Sequence, residues 1–82
     1  MEEKRIAVAA IVIDDPSAVA EVNSVLHEHN DIIIGRMGIP YRERGISLIS
    51  VALDASPDRI SSLTGRLGHI GGVSVKAAIS KK

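Results

Sequence analysis

The same order of local signals occurs twice in this 82-residue chain. Each half begins with a run rich in β-branched residues, continues with a capping residue followed by proline, and then carries an amphipathic stretch and a second strand-like run. The capping pairs are Asp15-Pro16 and Ser56-Pro57, and each places proline at the first helical position, where a backbone N–H is not needed. The repetition predicts the element order β-α-β-β-α-β.

The predicted strands follow the apolar runs. The first run is continuously apolar and ends at Asp14, so we expect a strand that is buried on both faces. Gly35 and Gly38 interrupt the second strand and suggest a bulge or a close backbone approach. The expected strands are Ile6–Ile13, Ile32–Ile39, Ile46–Leu53 after a polar turn at Arg42–Gly45, and Val73–Ile79, with a frayed tail at Ser80–Lys82.

Two amphipathic helices are predicted between these strands. The first is expected from Pro16 to His29, closed by Asn30 in the left-handed conformation. The second is expected to begin at Pro57 and to stop at Gly68, before a Gly71-Gly72 turn. Their apolar stripes consist of Ala18, Val22, Val25, Leu26 and His29 in the first helix, and Ile60, Leu63, Thr64 and Leu67 in the second.

This order predicts an α+β fold of the ferredoxin-like kind, with residues 1–82 as a single domain. Right-handed crossovers place both helices on one face of a four-stranded antiparallel sheet. The first and third strands are the most continuously apolar, so they are expected to be the central pair. Ala7, Ala9, Ile11 and Ile13 should then face one side of the sheet, and Ile6, Val8, Ala10 and Val12 the other.

The sheet face without helices is predicted to be apolar. A small chain has little core to stabilise it, and this one has no cysteine for a disulfide. An open apolar face therefore predicts a homo-oligomer, a dimer or a tetramer, that pairs through this face, through sheet edges, or through both.

Composition excludes several function classes. Without cysteine there is no thiolate metal site and no thiol catalysis. Ten basic and ten acidic residues leave no net positive charge, and Tyr41 is the only aromatic residue, so direct nucleic-acid binding is not expected. No apolar run is long enough to span a membrane and none reads as a signal peptide, so a cytoplasmic location is expected.

Several segments resemble known families. Asp14-Asp15-Pro16, leading into the first helix, is similar to the first turn of an ACT domain. The segments Gly35–Gly45, Leu63–Gly68 and Gly72–Lys76 resemble the iron-only hydrogenase system regulator family, with a resemblance that extends over residues 4–80. That family is similar to the C-terminal ligand-binding domain of the nickel-responsive regulator.

The resemblance implies an ACT-like ferredoxin fold, oligomers, and a regulatory role near hydrogenase maturation. Two differences limit the transfer of ligand chemistry. Ser17 stands where an ACT domain has the glycine that admits an amino-acid ligand, and the nickel regulator's cysteine ligand has no counterpart. The DNA-binding arm of that regulator also has no counterpart, so regulation is expected to act through another protein.

Five residues are candidates for a small-ligand site. Asp15 and Ser17 lie at a helix start, which can hold a carboxylate in ACT-type folds, although Asp15 is better explained as an N-cap. Arg36, Tyr41 and Arg42 surround the hairpin between the second and third strands, where arginine can grip carboxylate or phosphate. The alternative for the hairpin is a solvated turn with Arg–Glu pairs.

His27 and His29 are candidate metal ligands. Two residues apart on a helix, they point about 200° away from each other, which is poor geometry for one ion. A structural role near the helix end is the alternative for His29. Ligands shared between subunits, with Glu28 or Asp31, would be needed to complete a site.

No catalytic set is recognised. Gly65, Gly68, Gly71 and Gly72 follow a helix, so they cannot direct a helix N-terminus at phosphate. The chain is therefore not expected to be an enzyme or to need a cofactor. Three hypotheses stay open: a regulatory module that binds a small ligand or a regulatory protein, a metal sensor with ligands from two subunits, and a structural interaction domain.

Overall fold

The computed structural model describes residues 3–81, and its elements follow the predicted order. The strands are β1 (Arg5–Ile13), β2 (Ile33–Tyr41), β3 (Ile46–Ala55) and β4 (Val73–Ile79). The helices are α1 (Val19–Glu28) and α2 (Pro57–Gly68). Three short 3₁₀ turns occupy Pro16–Ala18, Asn30–Ile32 and Arg42–Arg44.

Both predicted capping residues begin their helical segments. The Ser56 hydroxyl accepts a hydrogen bond from the backbone N–H of Arg59 at 3.3 Å, and α2 begins at Pro57. Asp15 caps the 3₁₀ turn by accepting from the backbone N–H of Ser17 at 3.0 Å. The first helix therefore starts with a tighter turn, and its α-helical part begins at Val19, later than predicted.

The predicted left-handed closure of α1 at Asn30 is wrong. No residue other than glycine has a positive φ among residues 3–81. The chain instead continues into a 3₁₀ turn, in which the His29 N–H donates to Leu26 O at 3.1 Å and the Ile32 N–H to His29 O at 3.1 Å. These tighter bonds satisfy the last carbonyls of the helix, so no left-handed residue is needed.

The sheet has the strand order β2-β3-β1-β4, and every neighbouring pair is antiparallel. The central pair is β1 and β3, as predicted. The predicted irregularity in β2 is also present, because the register shifts between Ile33 and Gly35 and leaves Ile34 as an extra residue. Ile32, expected in this strand, lies in the preceding 3₁₀ turn and is buried.

The core lies between the two helices and one face of the sheet. In β1, Ala7, Ala9, Ile11 and Ile13 are buried against the helices, as predicted. The expectation that β1 is buried on both faces is wrong for the single chain, because Ile6 and Val8 on the other face are 47% and 46% exposed. The helices contribute the buried side chains Val22, Val25, Leu26, Ile60, Leu63 and Leu67.

The tail after β4 is more ordered than predicted at Ser80. Its backbone N–H donates to Ile6 O at 2.8 Å, and its carbonyl accepts from the Arg5 guanidinium at 3.3 Å. The sheet pairing therefore continues one residue past the strand, while Lys82 lies outside the described residues. Within residues 3–81, no helix has the length and apolarity needed to cross a membrane.

Candidate functional site

Asp15 and Ser17 form a closed local unit at the end of β1. The Asp15 carboxylate accepts from the Ser17 backbone N–H at 3.0 Å and from the Ser17 hydroxyl at 2.8 Å. The backbone N–H bond, followed by the hydroxyl bond, holds the pKa of Asp15 below its ordinary value of 3.8. The Ser17 N–H is thus already used by the chain itself.

Arg36 lies on the edge strand β2, at the edge of the sheet opposite the one near Asp15. It pairs with Val51, which is fully buried under the helices, so the Arg36 side chain lies on the helix side. Its Nη2 donates to the Asn23 Oδ1 of α1 at 2.8 Å. The structure does not bring Arg36 together with Asp15, whose loop contacts Gly72 beside β4.

Tyr41 and Arg42 also lie apart from Arg36. Tyr41 ends β2, and alternation along the strand puts it on the sheet face opposite Arg36. Its hydroxyl donates to Glu43 Oε2 at 3.3 Å, and Arg42 belongs to the exposed turn that follows. The five candidate ligand residues therefore occupy three separate places, and their roles in binding stay predictions.

The two candidate metal ligands have different surroundings. His29 is buried, and its Nδ1 lies 2.9 Å from Val25 O, a contact that fits the structural role considered for it. His27 is exposed and lies along a groove on the other side of α1. Within residues 3–81, no three histidine or carboxylate side chains form a group able to hold a metal ion. A site with ligands from two subunits stays a prediction.

Glu28 and Asp31 are each engaged by an arginine of α2. Asp31 accepts two hydrogen bonds from Arg59, at 2.9 and 3.0 Å, and Glu28 accepts one from Arg66 at 2.8 Å. These bonds lower the pKa of both carboxyl groups and raise the pKa of Arg59. The two ion pairs connect the end of α1 and the turn after it to α2.

A groove of about 430 Å³ separates α1 from β2. Four of its residues come from one face of α1 and the turn after it, because three of them follow Asn23 at three, four and seven positions. The other two come from β2. The groove is lined by Asn23, Leu26, His27, Asn30, Ile33 and Arg36. Of these residues, only Arg36 and His27 were predicted as candidate binding residues. Asn23 and Asn30 share a helical face with His27, and this spacing of polar residues was the signal that would have added them.

The second notable surface is the sheet face that has no helices, called the outer face here. One row across it joins Ile39, Leu48 and Val12 on three adjacent strands. Among the strand positions of this face only Asp54 and Lys76 are charged. Its large exposed side chains are Ile6, Val8, Met37, Ile39, Tyr41 and Leu48, which are 37–63% exposed.

Comparison with sequence families gives one match, which covers residues 5–77. The matching family is TM1266-like and is described as an iron-only hydrogenase system regulator, a role assigned to it provisionally. No curated protein sequence matches the chain.

Solved structures include the uncharacterized protein TM1266 from Thermotoga maritima. It is 39% identical, with a TM-score of 0.92 over 96% of this chain and 100% of that chain. The C-terminal domain of the MgtC protein from Mycobacterium tuberculosis is 20% identical, with a TM-score of 0.69 over 94% of this chain and 88% of its own. A formyltetrahydrofolate deformylase from Pseudomonas putida is 14% identical, with a TM-score of 0.64 over 89% of this chain and 28% of its own.

The last two structures share the fold alone, because their sequence identity is low. They support the ferredoxin-like, ACT-like architecture predicted from the element order. The more specific resemblance to the nickel-responsive regulator stays a prediction.

Proposed function

Since the chain belongs to the TM1266-like family of iron-only hydrogenase system regulators, we propose that it is a non-enzymatic regulatory module that assembles with copies of itself through its outer face. The module is proposed to act in the cytoplasm. The observation that carries the assembly is the outer face itself, where large apolar side chains are exposed on three of the four strands.

The size of the outer face supports self-association. Four strands at about 4.8 Å spacing and seven or more residues at about 3.3 Å give roughly 500 Å² of projected area per subunit. Two such faces would bury about 1,000 Å² in total, which reaches the minimum expected of a specific interface but stays below the roughly 1,200–2,000 Å² of standard-size ones. A small domain that leaves such a patch in water loses hydrophobic stabilisation that a second copy would supply.

The edge strand β2 supports a larger interface than the outer face alone. All of its residues except Ile33 are exposed, and its outer edge pairs with no strand among residues 3–81. Exposed edge strands are surfaces on which another strand can pair. A second subunit that covers the outer face and extends to this edge would bury both features.

The test is a measurement of the solution mass of the wild type and of Val8→Lys by sedimentation equilibrium. Val8 lies on the outer face, so a buried lysine there should dissociate the assembly. Ser62→Lys, at an exposed position of α2, adds the same charge away from the face and should keep the wild-type mass.

A wild type that is monomeric at micromolar concentration would contradict self-assembly. Dissociation by Ser62→Lys as well would show that charge, not the outer face, controls the mass. The same samples can be titrated with transition metals, since a metal-dependent mass that requires His27 would instead support the metal-sensor alternative.

A further inference from the structure

The groove between α1 and β2 contains cationic and amide donors without an acidic residue. Arg36 supplies a guanidinium, His27 an imidazole, and Asn30 a side-chain amide. None of the six lining residues is Asp or Glu. This small basic area stands out in a chain whose formal net charge is zero.

Arg36 differs from the two arginines of α2 in its partner. Arg59 and Arg66 each pair with a carboxylate of the same chain, at 2.9 and 2.8 Å. Arg36 donates to the neutral amide oxygen of Asn23, and it forms no ion pair with any of residues 3–81. Its positive charge is therefore not neutralised within the described chain.

The bond to Asn23 also orients the guanidinium. It uses one N–H of Nη2 and leaves other donors of the planar group for a ligand. Arginine is well suited to bind a carboxylate through two parallel N–H groups, and a fixed guanidinium loses less conformational entropy when it does so. Asn23 thus acts as a positioning residue for Arg36.

The floor of the groove is apolar. Ile33 is partly buried and offers accessible apolar surface in the same groove as Arg36, while Leu26 beside it is almost fully buried. A ligand with a short hydrocarbon tail would cover Ile33 while its charged end meets the guanidinium. A fully hydrated phosphate would leave the apolar floor in water.

We propose that this groove binds a small organic carboxylate with a short apolar tail, with Arg36 as its main anchor. The proposal deepens the regulatory role proposed above, since it names the class of ligand that the module would respond to. It does not depend on the outer face, because the groove lies on the helix side of the sheet.

The experiment is a nuclear magnetic resonance titration of the whole protein with isovalerate. Its neutral analogue isovaleramide and inorganic phosphate serve as comparison probes. Isovalerate should give saturable shifts of the Arg36 guanidinium and of the Asn23 and Asn30 side-chain amides, with a dissociation constant in the millimolar range expected for so small a ligand. Isovaleramide and phosphate should bind at least about tenfold more weakly.

Variants test the anchor directly. Arg36→Gln should weaken isovalerate binding by about 10-fold or more, and Asn23→Ala by a smaller factor, because it only releases the guanidinium. Arg44→Gln, in the exposed turn after β2, removes an equal charge and should bind as the wild type does. Since Arg36 is exposed, the thermal midpoint of Arg36→Gln should match the wild type, which keeps the comparison valid.

Each contrary result is decisive. The proposal is overturned if isovalerate causes no saturable shift, if Arg36→Gln binds like the wild type, or if phosphate binds more tightly than isovalerate. Repeating the titration in Val8→Lys separates the two proposals, because this variant should bind isovalerate as the wild type does. A monomeric wild type that binds isovalerate would support the groove and reject self-assembly. An oligomeric wild type that does not bind isovalerate would reject only the groove.

Discussion

Gly72 lies so close to Asp15 that a Cβ on the glycine would be 2.6 Å from the Asp15 Cβ. The Gly72 carbonyl also accepts a hydrogen bond from the Asp14 N–H at 2.7 Å. The turn before β4 is thereby joined to the cap of the first helix. Since Gly72 has a φ of +81°, it meets both the conformational and the steric requirement of this contact.

Gly72→Ala should therefore lower the free energy of unfolding by roughly 2–4 kcal/mol, since it combines left-handed strain with overlap against a rigid Cβ. Urea denaturation followed by circular dichroism would measure this change. Gly45→Ala separates the two causes, because Gly45 has a φ of +66° but open space around its Cβ, and it should cost only about 1 kcal/mol.

Gly71→Ala is the matched control in the same turn. Gly71 has neither a positive φ nor any atom within 4 Å of an added Cβ, so its substitution should change stability by less than about 1 kcal/mol. Equal losses at Gly71 and Gly72 would contradict the importance of the contact with Asp15.

Leu63→Ala should be among the more destabilising truncations of the core. Leu63 is fully buried on the face of α2 that packs on the sheet, and removing three of its carbon atoms leaves a cavity. The expected loss is about 2–5 kcal/mol in the free energy of unfolding, measured by chemical denaturation. Thr64→Ala, one residue along and less buried, should stay within about 0.5 kcal/mol of the wild type.

The two ion pairs that join the end of α1 and the turn after it to α2 predict that the stability of the fold depends on pH. Arg66 and Arg59 lower the pKa of Glu28 and Asp31 from their ordinary values of 4.5 and 3.8. A carboxyl group with a depressed pKa in the folded state stabilises the fold above its ordinary pKa. That contribution is lost as the pH falls through the folded-state pKa. Stability should therefore decrease on acidification below these values.

A double-mutant cycle with Asp31→Asn and Arg59→Gln would measure the coupling of one pair. The coupling should be favourable but small at neutral pH, because both side chains are about half exposed. It should weaken in concentrated salt and disappear once Asp31 is protonated. A coupling that is unchanged in acid would contradict the assignment of the pKa shift to Arg59.

Self-assembly through the outer face predicts that stability depends on protein concentration. If the folded subunits associate and the unfolded chains do not, the thermal midpoint rises with concentration by mass action. Differential scanning calorimetry over a roughly hundredfold range of protein concentration would reveal the shift of the thermal midpoint. The midpoint of Val8→Lys should not depend on concentration, whereas Ser62→Lys should behave like the wild type.

Several features could be read directly from the amino-acid sequence. Local signals dictated the element order, because Asp15-Pro16 and Ser56-Pro57 are capping pairs whose effect depends on the adjacent residues alone. The alternation in β1 was also local, so its helix-facing set could be identified from the sequence. The bulge near Gly35 followed from the same kind of short-range preference.

The site residues were less predictable. Arg36 and Tyr41 were grouped at one hairpin, although the period-two alternation of a strand, which is itself a local property, places them on opposite faces of the sheet. Asn23 was not considered at all, because its role depends on a residue 13 positions away on another element. The closure of α1 was misjudged for a similar reason, since the chain must turn tightly there to bury Ile32.

The strand and helix segments, and the apolar side of each, follow from local sequence, because they depend on periodicity and on contacts within a few residues. Which side chains meet depends on the assembled fold. The order β2-β3-β1-β4 puts the Asp15 loop beside Gly72 at one edge, and Arg36 beside Asn23 at the other. Such contacts depend on strand order and register, which are set by the packing of the whole chain and not by any one segment.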